Sequence, residues 1–268
     1  MNSKKFLLEQ LKLEDAFKNY AVVSIIRTDG TVSRKSGKML VLEDGTHIGT
    51  IGGGSAEHKA IKDATECIRC GKNTCIDYTL NSENKEIGMV CGGNLSVFIE
   101  VQKARPQLFL CGAGHVGKAL MRIAHLVNFE ITLIDTREKD QISDALPLAD
   151  TFIPISDFYQ DFLNLEIPDD AYIVVTTFSH HHDKEALRAA LTKNAAYIGM
   201  IGSRKKIVAI FEKLRSEGIS DQQLDSVYSP IGIDIGGETP DEIALSIMAE
   251  ILSVKYKKPG GHLINKED

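Results

Sequence analysis

Beyond Pro106 the chain alternates short apolar runs with stretches of helical period, and this rhythm constrains the fold more than any other feature. Strands buried on both faces of a parallel sheet read as nearly continuous apolar runs, and each needs a crossover long enough for a helix to reach the next. Strands are expected near 108–111, 131–135, 151–155, 172–176, 196–200 and 226–228. Helices are expected near 115–127, 156–164, 183–193, 203–217 and 240–253. The fold class is therefore α/β, with a C-terminal Rossmann-type, doubly wound parallel sheet of about six strands.

The first of these strands runs into LFLCGAGHVGKAL (108–120), which contains Gly112-x-Gly114-x-x-Gly117. Alone, a G-x-G-x-x-G pattern is weak evidence. Here it lies between an expected strand and helix, and the next strand ends in Asp135, 18 residues after Gly117, which is the context of a dinucleotide fingerprint. Gly112 would permit the tight turn, Gly114 would let a pyrophosphate approach the backbone, and Gly117 would let the helix pack closely. Asp135 would accept from ribose hydroxyls and repel a 2′-phosphate. His115, inside the loop, would face a ligand or solvent.

Before Pro106 the texture differs. A charged amphipathic helix at the start is followed by β-rich runs punctuated by Asp29-Gly30 and Asp44-Gly45, which are hairpin signals. A helix from about Ser55 to Cys70 and strands near 74–80 and 95–101 complete a smaller N-terminal α+β domain with an antiparallel sheet. The boundary is expected at residues 103–107, giving domains 1–104 and 105–268.

Two glycine clusters stand out in this first domain. Gly52, Gly53 and Gly54 directly precede a helix opening with Ser55, Ala56 and Glu57, and Cys91, Gly92 and Gly93 repeat the theme. Successive glycines permit positive φ and close ligand approach at a helix start, where free N–H groups suit anions. The cleft between the two domains is then the natural expectation for a site.

Downstream, TTFSHHHDKEAL (176–187) follows the fourth strand at its carboxyl end, where open α/β sheets bind ligands. Asp183 is placed as an N-cap, and three adjacent histidines make poor metal ligands because consecutive loop residues rarely converge on one ion. In YIGMIGSRKK (197–206), Gly202, Ser203, Arg204 and Lys205 suggest a second anion site. Thr239-Pro240 reads as an N-cap and first helical residue.

Residues 1–104 hold 14 Lys/Arg against 13 Asp/Glu, and the remainder 17 against 24. Neither half carries the basic excess of a nucleic-acid binder. The sequence has no apolar run of membrane-spanning length and no signal-peptide core, so a cytoplasmic protein without membrane partners is expected. Five cysteines, an odd number, argue against a disulfide framework. Cys67, Cys70 and Cys75 lack a further pair or histidine spaced to complete a tetrahedral site.

Taken in order, GTIGGGSAE (49–57), MVCGG (89–93), LCGAGHVG (110–117), TFSHHHD (177–183), YIGMIGSRKK (197–206) and GIDIGGETPDEIALSIMAEI (232–251) resemble the XdhC/CoxI family, the accessory proteins of xanthine dehydrogenase and related molybdenum hydroxylases. The resemblance covers nearly the whole chain. It implies a non-enzymatic chaperone that binds molybdenum cofactor, in molybdopterin mononucleotide or dinucleotide form, protects it during sulfuration and delivers it to an apo-hydroxylase, with a cysteine desulfurase as the other partner. Site positions carried over are Gly52, Gly53, Gly54, Glu57, Cys91, Gly92, Gly93, Gly112, Gly114, His115, Gly117, His180, Asp183, Gly202, Ser203, Arg204 and Lys205. Many members carry cysteine where this chain has Ser55, which leaves Cys91 as the candidate molybdenum or sulfur contact, a thiolate being the soft ligand available. Two other readings stay open: an NAD(P)-dependent oxidoreductase, and a nucleotide-sensing module. A homodimer is the default on base rates.

Overall fold

The chain opens with helix α1 (Ser3–Asp15), followed by β1 (Tyr20–Gly30), β2 (Lys38–Leu42), β3 (His47–Thr50), α2 (Gly54–Cys70), β4 (Thr74–Thr79) and β5 (Gly93–Gln102). The structure, a computed structural model, describes residues 3–30, 32–79 and 93–265. It divides into two units, Met1–Ala104 and Arg105–Asp268, which are taken in turn.

In the first unit the five strands form one antiparallel sheet in the order β3-β2-β1-β5-β4. Side chains alternate across it with the period of two that strands impose. Ala21, Val23, Met39 and Val41 face the core shared with α2, while Tyr20, Val22 and Leu40 join Leu13 of α1 in a second cluster. The α2 stripe that meets the sheet is Ala56, Ala60, Ala64, Cys67 and Ile68, mostly small residues that let helix and sheet approach closely. Gly71, at φ 66, ends the helix in the left-handed conformation that favours glycine.

The two hairpin signals have different fates. Asp44 and Gly45 make the tight turn between β2 and β3, with Thr46 N–H donating to the Asp44 carboxylate at 2.8 Å. Asp29 and Gly30 instead stay in the strand, paired with Asn94 and Gly93. The long β1–β5 ladder captures them, and the connection to β2 begins later.

The second unit follows β6 (Gln107–Cys111), α3 (His115–Leu126), β7 (Glu130–Asp135), β8 (Thr151–Pro154), α4 (Gln160–Leu163), β9 (Tyr172–Val175), α5 (His180–Ala190), β10 (Tyr197–Met200), α6 (Arg204–Ser216), α7 (Asp221–Asp225) and α8 (Pro240–Lys255). Its parallel sheet runs β10-β9-β6-β7-β8. The order reverses at β6, because the chain moves outward through β7 and β8 and then returns to the other side at β9. Such a switch point is where doubly wound sheets bind ligands, at the carboxyl ends of the strands.

Both faces of this sheet are covered. Leu108, Leu110, Tyr172 and Val174 pack with residues of α3 and α8, whereas Phe109, Cys111, Ile173 and Val175 pack with residues of α5 and α6. Thr239 caps α8 through a hydroxyl that accepts from Glu242 N–H, with Pro240 at the first helical position, as the sequence suggests.

The sheet has five strands, not six. The expected strand at 226–228 is reduced to one parallel bridge between Gly199 and Tyr228. Two residues later Pro230 has no N–H with which to extend a ladder. The helix expected at 156–164 shrinks to Gln160–Leu163, because Asp161 accepts from the backbone of Ser156 and Asp157 and holds that stretch as a turn. Among the described residues, no helix is long and apolar enough to cross a membrane.

Candidate functional site

In the first unit, β3 runs into the glycine triplet and α2. Gly52, Gly53 and Gly54 have φ of 130, 80 and 70°, a region costly for any residue with a Cβ. Glu57, in the first turn of α2, reaches back to organise the loop. Its carboxylate accepts from the Thr50 hydroxyl, from Ile51 N–H at 2.9 Å and from Gly53 N–H at 3.1 Å. Burial alone would raise its pKa, but these three donors outweigh it and hold Glu57 below its ordinary value.

Helix α2 starts on Gly53 with no side-chain cap. A Cβ on Gly53 or Gly54 would meet nothing within 4 Å, so the face of the turn at these two residues is open. Ser55 is exposed on the first turn. Gly93 begins β5; Cys91 and Gly92 lie outside the described residues.

The fingerprint glycines of the second unit have separate reasons to be glycine. Gly112 has φ 108°, and a Cβ there would lie 2.6 Å from Thr176 O and 2.8 Å from Thr177 Cα. A Cβ on Gly117 would collide with Gly112 O. Gly114 is different: its φ is −73°, and a Cβ would find only Thr176 O, at 3.8 Å. The backbone leaves Gly114 free to carry a side chain. It is the N-cap of α3, again without a side-chain cap, and His115 is exposed at the first helical position.

The acceptor role expected of Asp135 is already taken within the chain. Oδ1 accepts from Arg137 N–H at 3.0 Å and from Arg137 Nε at 2.9 Å; Oδ2 accepts from Ala113 N–H at 2.7 Å and from Arg137 Nη2 at 2.6 Å. A carboxylate offers about four acceptor positions, and all are filled on a side chain that is 1% exposed. Asp135 therefore has no acceptor site left for a ribose hydroxyl. Burial raises its pKa, yet the Arg137 and Ala113 donors outweigh that and keep it low. Its work is to pin the glycine turn and to hold the Arg137 guanidinium.

Asp183 also departs from expectation. Helix α5 begins three residues earlier, capped by Ser179, whose hydroxyl accepts from His182 N–H. Asp183 is instead fully buried. It accepts from Thr177 N–H at 3.1 Å and from the Thr177 hydroxyl at 2.7 Å, and pairs through Oδ2 with Lys206. His180 and His181 are exposed on the first turn. The pairing accounts for a cation at the N-terminal end of α6, where the helix dipole disfavours it.

Helix α6 is capped by Ser203, which accepts from Lys206 N–H, while Gly202 is partly buried and Arg204 and Lys205 are exposed. Helices α5, α6, α7 and α8 are closed by hydroxyls at their starts; α2 and α3 begin on glycine with no side-chain cap, and α4, which starts after Tyr159, has no side-chain cap either. Among the described residues no group of three or more His, Cys, Asp or Glu side chains is placed to hold a metal ion.

Sequence reasoning missed Arg137 and Phe178. Phe178 is 61% exposed, packs edge-on against His182, and faces the Arg137 guanidinium at 5.8 Å. The available signal was an arginine two residues after the acid that ends a fingerprint strand, together with an aromatic residue in the loop after the fourth strand of the unit.

Comparison with known proteins follows the same division. Residues 108–251 match the XdhC Rossmann domain and residues 14–79 match the XdhC and CoxI family. The chain is 34% identical over 254 residues to YqeB of Escherichia coli K12, covering 94% of this chain and 47% of that protein. It therefore spans about half the length of that relative. To the molybdenum cofactor insertion chaperone PaoD of the same organism it is 24% identical over 267 residues, covering 89% of this chain and 84% of that one. A crystal structure of a xanthine dehydrogenase from Bacillus halodurans shares the fold, with a TM-score of 0.51 at 22% identity over 98% of this chain and 99% of that one.

Proposed function

Because the chain belongs to the XdhC and CoxI family, we propose that it is an accessory protein that binds molybdenum cofactor, protects it while a cysteine desulfurase supplies sulfur, and delivers it to an apo-hydroxylase of the xanthine dehydrogenase kind. The observation that carries this reading is the pair of uncapped glycine starts at α2 and α3, each open to an anion, where α5, α6 and α8 are closed by hydroxyls. Uncapped N–H groups and the helix dipole together favour phosphate, and a pterin mononucleotide or dinucleotide presents one or two such groups.

The residues fit that demand. Gly53 and Gly54 leave an open cradle behind which Glu57 fixes the backbone, and Gly114 lets an oxygen-rich ligand approach the start of α3. Cys91, beside two glycines, is the thiolate proposed to touch the metal or its sulfur. The cofactor would bring oxo-transfer chemistry that is used on the hydroxylase; this chain's part is to bind, orient and shield. PaoD is named for cofactor insertion, which supports the same role here.

The test is to purify the protein anaerobically from a molybdate-supplied host, oxidise it, and measure released pterin by fluorescence alongside bound nucleotide by mass spectrometry. Stoichiometric pterin is expected. Absence of pterin with stoichiometric NAD would overturn the proposal in favour of a nicotinamide-dependent oxidoreductase.

A further inference from the structure

Arg137 and Phe178 follow strands on opposite sides of β6: Arg137 lies two residues beyond the end of β7, and Phe178 three beyond the end of β9. Adjacent strands are about 4.8 Å apart, so the two loops are separated by the full width of the β6 position. Their side chains nonetheless reach each other, with the guanidinium 5.8 Å from the ring centroid. They meet at the carboxyl end of the strand that runs into the Gly112–Gly117 turn.

The chemistry of this pair is one-sided. Asp135 has spent its acceptor positions on Arg137 and Ala113. Arg137 keeps donors to spare: of its five N–H groups, Nε and one on Nη2 are used by Asp135, and its side chain is 30% exposed. Asp144 lies close enough to act on Arg137, but Lys118 pairs with that carboxylate at 2.7 Å. What faces a ligand is therefore a set of N–H donors beside an exposed aromatic ring, with no acceptor left on Asp135 for a ribose diol.

We infer that Arg137 and Phe178 form the base-and-ribose subsite of the second unit, and that it selects a nucleotide whose ribose carries a monoester phosphate as well as its 5′-phosphate. The guanidinium donates to the ribose phosphate in the planar, forked geometry that suits it. Phe178 supplies the stacking surface for the base, since every base presents a π-face to an exposed aromatic ring. This reverses the preference that Asp135 alone would set. It needs only a nucleotide at the α3 turn and stands or falls independently of whether the chain carries a pterin.

The test is calorimetric titration of the full chain with AMP, adenosine 2′,5′-bisphosphate and adenosine 3′,5′-bisphosphate. At least one bisphosphate is expected to bind ten-fold or more tighter than AMP, and the two bisphosphates tell which ribose hydroxyl bears the phosphate. Arg137→Ala should bring all three within about two-fold of one another. Phe178→Ala, at an exposed position that leaves the fold intact, should weaken all three by a similar factor. Equal binding of the three by the unaltered protein, tighter binding of AMP, or no binding at all would overturn the inference; none of these results bears on pterin release.

Discussion

On the proposed reading the soft ligand of the first unit would stand at Cys91 or at Ser55, and of these two candidates only Cys91 is a thiol. A hydroxyl on an exposed first helical turn is a hard donor, poorly matched to a metal–sulfur centre, whereas a thiolate is well matched. Cys91→Ala is therefore expected to lower the pterin retained per chain several-fold after anaerobic purification, and Ser55→Ala to leave it within error. Equal retention in both variants would remove Cys91 from the site. Cys111 has no such case: it is fully buried, and burial pushes its thiol well above the usual range, which keeps it protonated and unreactive. The candidates Cys91 and Ser55 were legible from residue types alone. The role of Asp135 was not, because the identity of an acid says nothing of how many of its acceptor positions the chain itself will fill. Arg137 fills three of them from two residues away.

At the scale of elements, the glycine turn between β6 and α3 separates two demands that sequence reads as one. Gly112 is required by the chain: alanine there would face φ 108° and carbonyl contact at 2.6 Å, for a cost of about 1–3 kcal/mol from backbone strain alone. Gly114 is not, since its backbone lies in a region open to any residue and a Cβ there would meet only Thr176 O, at an ordinary contact distance of 3.8 Å. Gly114→Ala is expected to leave the melting temperature nearly unchanged and to lower affinity for a 5′-phosphorylated nucleotide ten-fold or more, while Gly112→Ala lowers the melting temperature itself. A Gly114 variant that binds as well as the unaltered protein would mean that no phosphate approaches this turn. Apolar rhythm made the alternation of strands and helices readable, since it reports burial directly. Helix boundaries were less so: Asp183 is a good capping residue by type, but Ser179 reaches the free N–H first, and the acid is drawn inward to Thr177 and Lys206.

Across the whole molecule, each unit pins its glycine turn with a buried or half-buried carboxylate, Glu57 in one and Asp135 in the other. Both are held below their ordinary values of 4.5 and 3.8. The folded chain then binds fewer protons than the unfolded chain across the window between the depressed and ordinary values. Stability from these groups is complete above about pH 5 and is lost as the pH falls through the folded-state values. Other acids, among them the partly buried Asp161 and the exposed Glu242, are also depressed by backbone donors, and they give the acid limb a background that any single variant leaves in place. Differences between variants isolate the two turns. Melting temperature measured from pH 7 to pH 3 is expected to fall less steeply on the acid side in Glu57→Gln and in Asp135→Asn. Because the two carboxylates belong to separate units with separate hydrogen-bond partners, their effects should add in the double variant, as they do for sites that share no contacts. An acid limb unchanged in that double variant would show that the carboxylates do not hold the turns, and the open helix starts of α2 and α3 would then need another support.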